Sequence, residues 1–192
     1  MLVVGFAAGP LRANCYLLAP AAGGECVVVD PGQDSGEPLA AALAEHRLTP
    51  VALLATHGHP DHVAGAAGHD LPLHLHPADR EWYDGPSVPL AEGPLELAGL
   101  ALEVLSVPGH TPGSVAFAAT ASEGGRLLLT GDTLFAGSIG RSDGPDLERS
   151  LRTKLLGLPD DTVVLPGHGP ATTIGRERAS NPALTGAEAC RA

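Results

Sequence analysis

Short apolar runs bounded by turn-forming residues open the chain. They occupy residues 2–6, 14–18 and 26–30, and the turns between them include Ala22-Gly23-Gly24. Runs of this length between glycine- and proline-rich turns are typical of β-strands. The pattern therefore predicts an antiparallel meander at the start of the chain.

The pattern then changes to an alternation of helices and strands. Residues 39–48 carry alanine and leucine at helical spacing, and residues 51–55 form a continuous apolar run. The first pattern predicts a helix and the second a buried strand. A strand is also predicted at 71–76, with short helices at 62–67 and 77–83, the latter opening on a proline.

The second half of the chain repeats this mixture. Residues 146–156 are amphipathic and predict a helix for which Asp146 is the expected N-cap. Strands in both halves, with helices between them, indicate two sheets flanked by helices. Apolar runs predict the further strands at 100–107, 114–119, 127–130 and 162–165.

The strand at 51–55 leads directly into the segment Thr56-His57-Gly58-His59-Pro60-Asp61-His62. This segment places three imidazoles and one carboxylate within seven residues. Histidine and carboxylate are usual nitrogen and oxygen ligands of zinc. Because no cysteine lies nearby, the segment predicts a catalytic metal site rather than a closed structural one.

Three later strands also end on a candidate ligand. His110, Asp132 and His168 each follow an apolar run after one or two turn residues. If these strands belong to one sandwich, their loops meet at one rim, where functional residues are commonly carried on a rigid scaffold. The sequence therefore predicts a single metal site built from four loops.

Composition limits the organisation and the partners. The 192 residues are 44% hydrophobic, which predicts a single domain over 1–192 with a frayed tail at 185–192. A net charge of −11 argues against nucleic acid or anionic membrane surfaces as partners. The N-terminus lacks the features of a signal peptide and no apolar stretch is long enough to span a bilayer, so a cytoplasmic location is expected.

The three cysteines, Cys15, Cys26 and Cys190, follow no metal-binding spacing. An odd number in a cytosolic chain favours free thiols. A pairing of Cys15 with Cys26 across a hairpin is the alternative.

The motif His57-x-His59-x-Asp61-His62, with the later His110, Asp132 and His168, resembles the metallo-β-lactamase superfamily. This resemblance implies an α+β fold, namely a four-layer αββα sandwich with its metal site at the sheet edge. Within the superfamily, the stretches 134–143 and 166–178, with Asn181-Pro182 beyond, look like the single-domain, glyoxalase II-like thioester hydrolases.

The resemblance also implies the ligand set and the cofactors. The implied ligands are His57, His59 and His110 for a first metal, Asp61, His62 and His168 for a second, and Asp132 as the bridge between them. The cofactors would be two divalent cations, with zinc favoured and iron or manganese as alternatives, because histidine and aspartate bind all three.

The implied activity is hydrolysis of a small-molecule acyl-thioester such as S-lactoylglutathione. Two metals would lower the pKa of a shared water and hold it as a bridging hydroxide. Asp61 is expected to orient this hydroxide, and Thr56 is a candidate donor to a ligand. The alternatives are an iron-dependent persulfide dioxygenase, a lactonase of the same superfamily, or a binding protein that retains a relic site.

The resemblance extends less fully to the parts that bind the substrate. Glutathione-specific glyoxalase II has a C-terminal helical domain and a Lys-x-Tyr pair after the bridging aspartate, where this chain offers Arg141 and Asp143. Arg141 is the candidate substrate contact, with an Arg141–Asp143 pair as the alternative, and the thiol carrier stays open. Ordinary structural or surface roles are predicted for Asp30, as a turn residue, and for His46, His69, His74, His76, Trp82, Tyr83 and residues 176–178.

Overall fold

Two facing six-stranded sheets form the centre of the computed structural model, which describes residues 1–121 and 124–186. The first sheet consists, in spatial order, of β1 (Leu2–Ala8), β2 (Ala13–Ala19), β3 (Glu25–Val29), β4 (Thr49–Leu54), β5 (Leu73–Leu75) and β6 (Ser87–Pro89). Strands β1 to β3 form the predicted antiparallel meander. Strands β3 to β6 run parallel to one another.

The second sheet has the order β14-β13-β10-β9-β8-β7. The remaining strands are β7 (Gly93–Leu97), β8 (Leu100–Ser106), β9 (Val115–Thr120), β10 (Arg126–Gly131), β11 (Leu134–Phe135), β12 (Ser138–Ile139), β13 (Val163–Pro166) and β14 (Thr172–Thr173). Strands β11 and β12 form a separate hairpin. Strands β8 and β10 both pair antiparallel with β9, and β10 pairs parallel with β13. Strands β8, β10 and β13 therefore point in the same direction.

The helices are short. They are α1 (Gly36–His46), α2 (Pro60–Val63), α3 (Asp146–Ser150), α4 (Ile174–Ser180) and α5 (Pro182–Thr185), with 3-10 helices at Ala64–Gly68 and Pro77–Trp82 and a π-helical segment at Leu151–Leu155. The prediction of Asp146 as an N-cap is wrong. Pro145 occupies that position without a side-chain cap, and Asp146 lies inside the first turn, where it pairs with Arg149.

Alternation along the strands divides the core into layers. Leu17 of β2 faces α1 on the outside of the first sheet, whereas its neighbour Leu18 faces the second sheet. Both are fully buried. On the far side, Leu128 of β10 packs with Leu151 between the second sheet and the α3 segment. Because side chains alternate across a strand, each sheet buries both faces, and the predicted α+β sandwich is confirmed.

The predicted elements match the structure best in their centres. Helix α1 begins three residues before the predicted start, and β5 is shorter than the predicted strand at 71–76. Short strands β6, β7, β11, β12 and β14 had no prediction. Residue 185 ends α5, and the rest of the predicted frayed tail, from 187 onward, lies outside the described residues.

The two cysteines in the described part of the chain are free and buried. Strand pairing places Tyr16 opposite Val29 and Leu18 opposite Val27, so Cys15 and Cys26 lie at opposite ends of the β2–β3 pair. Cys190 lies outside the described residues. Among the residues that the structure describes, no helix is both long enough and apolar enough to cross a membrane.

Adjacent leucines on opposite faces of β2 test the layered core. Leu17→Ala and Leu18→Ala should each lower the free energy of unfolding by about 2–5 kcal/mol, because each leaves a cavity in a different layer. Leu11→Ala is the matched control, since Leu11 is 65% exposed, and it should change stability by less than about 0.5 kcal/mol. Denaturant unfolding at constant metal concentration measures all three, and a loss at only one of the two β2 positions would contradict burial on both faces.

Candidate metal centre

Strand direction brings the candidate ligands to one edge of the sandwich. His110, Asp132 and His168 follow the ends of β8, β10 and β13, which point the same way. The segment from Thr56 to His62 follows β4 of the facing sheet. Backbone hydrogen bonds from Val115 N to Thr56 O, 2.8 Å, and from Gly167 N to Gly131 O, 2.8 Å, join these loops. The structure therefore brings all seven predicted ligands together.

Three imidazoles form the first group. His57 Nε2 lies 3.1 Å from His59 Nδ1, and His110 Nε2 lies 3.0 Å from the same atom. His57 is buried, whereas His59 and His110 are half-buried and face the solvent side. The group thus presents three nitrogen atoms to one point next to a solvent-accessible surface.

Two imidazoles and a carboxylate form the second group. His62 Nε2 lies 3.3 Å from His168 Nε2. Asp61 Oδ2 lies 3.3 Å from His168 Nε2 and 3.6 Å from His62 Nε2. One carboxylate oxygen therefore faces both nitrogen atoms of this group.

Asp132 stands between the two groups. Its Oδ2 lies 3.6 Å from His110 Nε2 in the first group and 3.5 Å from His168 Nε2 in the second. Its Oδ1 lies 3.4 Å from His62 Nε2. The carboxylate therefore lies within reach of both groups, with Oδ2 nearest His110 and His168 and Oδ1 nearest His62.

Hydrogen bonds on the far side of the rings fix the tautomers of three ligands. The Nδ1–H of His110 donates to Arg141 O, 3.1 Å, and that of His168 donates to Leu11 O, 3.1 Å. His62 Nδ1 donates to Asp30 Oδ2, 3.0 Å. These acceptors require a proton on Nδ1 and leave the Nε2 lone pair directed inward, the arrangement typical of metal-binding histidines.

Asp30 orients residues of the metal centre, a role that its turn-like sequence context did not indicate. It was predicted to shape a turn, but its buried carboxylate accepts from Thr56 N and from Thr56 Oγ1, both at 2.7 Å, as well as from His62. Because the Thr56 hydroxyl donates to Asp30, it accepts from His57 Nδ1, 3.1 Å, and is not the predicted donor to that ring. Asp30 adopts a left-handed backbone conformation, φ +54°, a strained state that is often found at functional sites.

The geometry of these groups fits a pair of metal ions. A tetrahedral ion with metal–nitrogen bonds of about 2.0–2.1 Å holds its ligand nitrogens roughly 3.3 Å apart, close to the nitrogen separations in both groups. Asp132 Oδ1 is buried and has no hydrogen-bond partner among the described residues. A shared cation would satisfy this oxygen and the converging lone pairs, so the clusters suit a dimetal site.

The two groups differ in charge. Burial and the neighbouring imidazoles lower the pKa of His57. Burial acts in the same direction on His62, but the Asp30 carboxylate outweighs it and raises the pKa of His62 to about 9. The hydrogen bond between Asp61 and His168 lowers the pKa of the acid and raises that of the imidazole. The buried ring of the first group, His57, is therefore held neutral, whereas the rings of the second group are paired with carboxylates.

A cleft of about 620 Å³ opens over the centre, and five of the seven candidate ligands line it together with Leu11, Phe135 and Arg141. Leu11 is 65% exposed, and the Phe135 ring lies 6.2 Å from that of His168. Arg141 lies on the side of His110 and forms no ion pair with Asp143 within the described residues. The cleft thus has an apolar wall beside His168 and a cationic side chain beside His110.

Of the other residues predicted to have structural or surface roles, some make specific contacts near the site and the others lie outside it. Glu177 is not on a solvated helix face but is buried, where its carboxylate accepts from Gly137 N, Thr172 Oγ1 and Asn181 Nδ2 and so fixes the β11–β12 hairpin. The Trp82 ring packs against that of His59 in a tilted arrangement, with centroids 5.3 Å apart. The histidines predicted to be structural lie outside the metal groups, namely His46, His69, His74 and His76.

Sequence comparison places these residues in a known family. A model described as the metallo-beta-lactamase superfamily matches residues 8–168. A protein of Haemophilus influenzae named hydroxyacylglutathione hydrolase GloC is 36% identical to the chain, over 82% of this chain and 86% of that protein.

Solved structures give the same family relation. A structure described as the BLEG-1 B3 metallo-beta-lactamase superposes with a TM-score of 0.85 at 34% identity, covering 96% of this chain and 100% of the other. The structure of TTHA1623 in a di-iron-bound form superposes with a TM-score of 0.79 at 40% identity, covering 94% of this chain and all of the other. These similarities extend over nearly the whole of the chain.

Asp132 provides a direct test of a two-metal centre. Asp132→Asn keeps the size of the side chain but removes the charge that offsets repulsion between two cations. Metal content of the purified protein should fall from about two toward about one per chain, with the second group emptied first because the first keeps three imidazoles. Asp143→Asn on the exposed rim is the control and should retain full metal content; retention of two metals in the Asp132 variant would refute the bridging assignment.

Proposed function

The chain belongs to the metallo-β-lactamase superfamily and is a metal-dependent hydrolase, and we propose that its substrates are small acyl-thioesters such as S-lactoylglutathione. His57, His59 and His110 would bind one metal and Asp61, His62 and His168 a second, with Asp132 shared. The observation that carries this proposal is the complete set of seven ligands at the base of a cleft with one apolar and one cationic side.

The two sides of the cleft suit the two parts of a thioester. Leu11 and Phe135 offer an apolar surface beside His168, where the acyl group would lie. Arg141 offers a charge beside His110 that would attract the carboxylate of an anionic thiol carrier. The 36% identity to a protein named hydroxyacylglutathione hydrolase supports the same class of substrate.

The reaction needs little from the protein at the leaving group. When bound, the two metals supply an acidified water and a Lewis acid beside the thioester carbonyl. A thiol of pKa about 8.5 departs as the thiolate, so no dedicated general acid is required. Asp61, whose pKa is lowered by its hydrogen bond with His168, stays ionised and would accept a hydrogen bond from the attacking water.

The identity of the metals is part of the proposal. The imidazole-rich first group favours zinc, and manganese is compatible with the carboxylates of the second. The structure of TTHA1623 in its di-iron-bound form makes iron the main alternative. Elemental analysis of the purified protein decides between them.

A substrate panel tests the function. The metal-replete protein should hydrolyse S-lactoylglutathione or other small thioesters with kcat/KM of at least about 10⁴ M⁻¹s⁻¹, and should do so without consuming oxygen. The panel includes lactones, β-lactams and glutathione persulfide. Oxygen uptake with the persulfide would identify a dioxygenase instead, and turnover of only lactones or β-lactams would likewise overturn the proposal.

Arg141 tests how the thiol carrier is bound. Arg141→Ala should raise KM for anionic thioesters about tenfold, or about 1.4 kcal/mol, with kcat little changed, because the contact is the same in ground and transition states. Arg176→Ala removes an exposed arginine away from the cleft and should leave KM unchanged. If both variants have the KM of the wild type, Arg141 serves only through its backbone carbonyl.

A further inference from the structure

Asp79 lies in the 3-10 helix Pro77–Trp82 and belongs to none of the metal-ligand groups. Its side chain is fully buried. In the described part of the chain its carboxylate has no ion-pair partner, and neutral donors surround it instead. A buried carboxylate of this kind is costly unless every lone pair is used, so its contacts indicate its purpose.

The contacts of Asp79 join the two loops that carry the first metal group. Oδ2 accepts from Gly58 N, 2.9 Å, and Gly58 stands between His57 and His59. The same oxygen accepts from Thr111 Oγ1, 2.6 Å, and Thr111 directly follows His110. Oδ1 accepts from Gly113 N, 2.7 Å, two residues farther along that loop.

Both loops approach the carboxylate at a glycine. A Cβ added to Gly58 would lie 2.8 Å from Asp79 O and 2.9 Å from Asp79 Cβ. A Cβ added to Gly113 would overlap the Asp79 carboxylate itself. Only the absence of a side chain at these two positions lets one carboxylate reach both loops.

The same helix touches a ligand at its other end. Trp82, its last residue, packs against the His59 ring in a tilted arrangement, with centroids 5.3 Å apart and an interplanar angle of 40°. Asp79 therefore fixes the backbone on either side of the three imidazoles while Trp82 restrains the ring of one of them. Asp30 holds the second group through His62 in a comparable way.

We propose that Asp79 is the positioning residue of the first metal group: its carboxylate ties the His57–His59 loop to the His110 loop and sets the spacing of the three nitrogen atoms. Its negative charge also offsets part of the charge of a cation bound there. This inference rests on the proposed assignment of His57, His59 and His110 as ligands of one metal.

Asp79→Asn tests the proposal because it keeps the size of the side chain and turns one acceptor into an NH2 group that faces other donors. The metal-free protein is titrated with Co²⁺. Quenching of Trp82, the single tryptophan of the chain, reports the first group, and total bound cobalt reports both. The first-group affinity should fall about 10–100-fold, the range found for outer partners of metal ligands, while the second-group affinity stays within about threefold.

Two further variants complete the design. Asp84→Asn makes the same chemical change at an exposed position two residues beyond Trp82 and should bind cobalt as the wild type does. Thr111→Val removes one donor to Asp79 without changing the volume, and should weaken only the first-group affinity, by less than Asp79→Asn. If Asp79→Asn does not fold, the first-group affinity of Thr111→Val tests the positioning role instead.

The outcomes separate this proposal from the proposed function. The positioning role alone is overturned if Asp79→Asn binds cobalt in the first group with wild-type affinity; if that variant does not fold, the same result in Thr111→Val overturns it. An equal loss of affinity in both groups also overturns it, because it indicates a merely structural residue. A wild-type protein that binds two cobalt ions but hydrolyses no thioester overturns the function and leaves this inference standing. A wild-type protein whose Trp82 fluorescence does not respond to bound cobalt overturns the assignment of the first group and the inference with it.

Discussion

The structure must hold several ligand lone pairs close together at one sheet edge although they repel one another. The rest of the structure depends on this constraint. Nitrogen atoms that approach to 3.0–3.3 Å within the two groups repel one another until a cation lies between them. A flexible loop would spread them apart. The sandwich prevents this because every ligand follows a strand of the two packed sheets, and because carboxylates and carbonyls on the far side hold the rings.

The seven candidate ligands were predictable because each belongs to a local pattern, a buried strand followed by a turn and a histidine or aspartate. The partners that orient them were not. Asp30 contacts His62, which is 32 positions away, and Asp79 contacts Gly113, which is 34 positions away. Asp30 also follows a strand that pairs in parallel with β4, so the topology offered a signal that its turn-like context outweighed.

Local pattern failed elsewhere for identifiable reasons. Glu177 falls in a run of charged residues that is typical of a solvated helix face, yet it lies inward against Gly137 and Asn181. Asp146 has the residue type of a cap, but the preceding proline takes that position. The strands that escaped prediction are either two or three residues long, which is too short to show an alternating pattern, or, like β7, open on glycine and proline and are only partly buried. The α+β layers were predictable without these short strands, because the longer apolar runs were enough to indicate two sheets flanked by helices.

The burial of the Cys15 and Cys26 thiols has a consequence for the proposed reaction, because one product of that reaction is itself a thiol. If the released thiol is oxidised to a disulfide, that disulfide can exchange with any accessible protein thiolate. Cys15 and Cys26 lie behind the first sheet, and burial raises the pKa of both thiols, that of Cys26 to about 11. Neither forms an appreciable thiolate at neutral pH, so neither would attack the disulfide that the released thiol forms once it is oxidised.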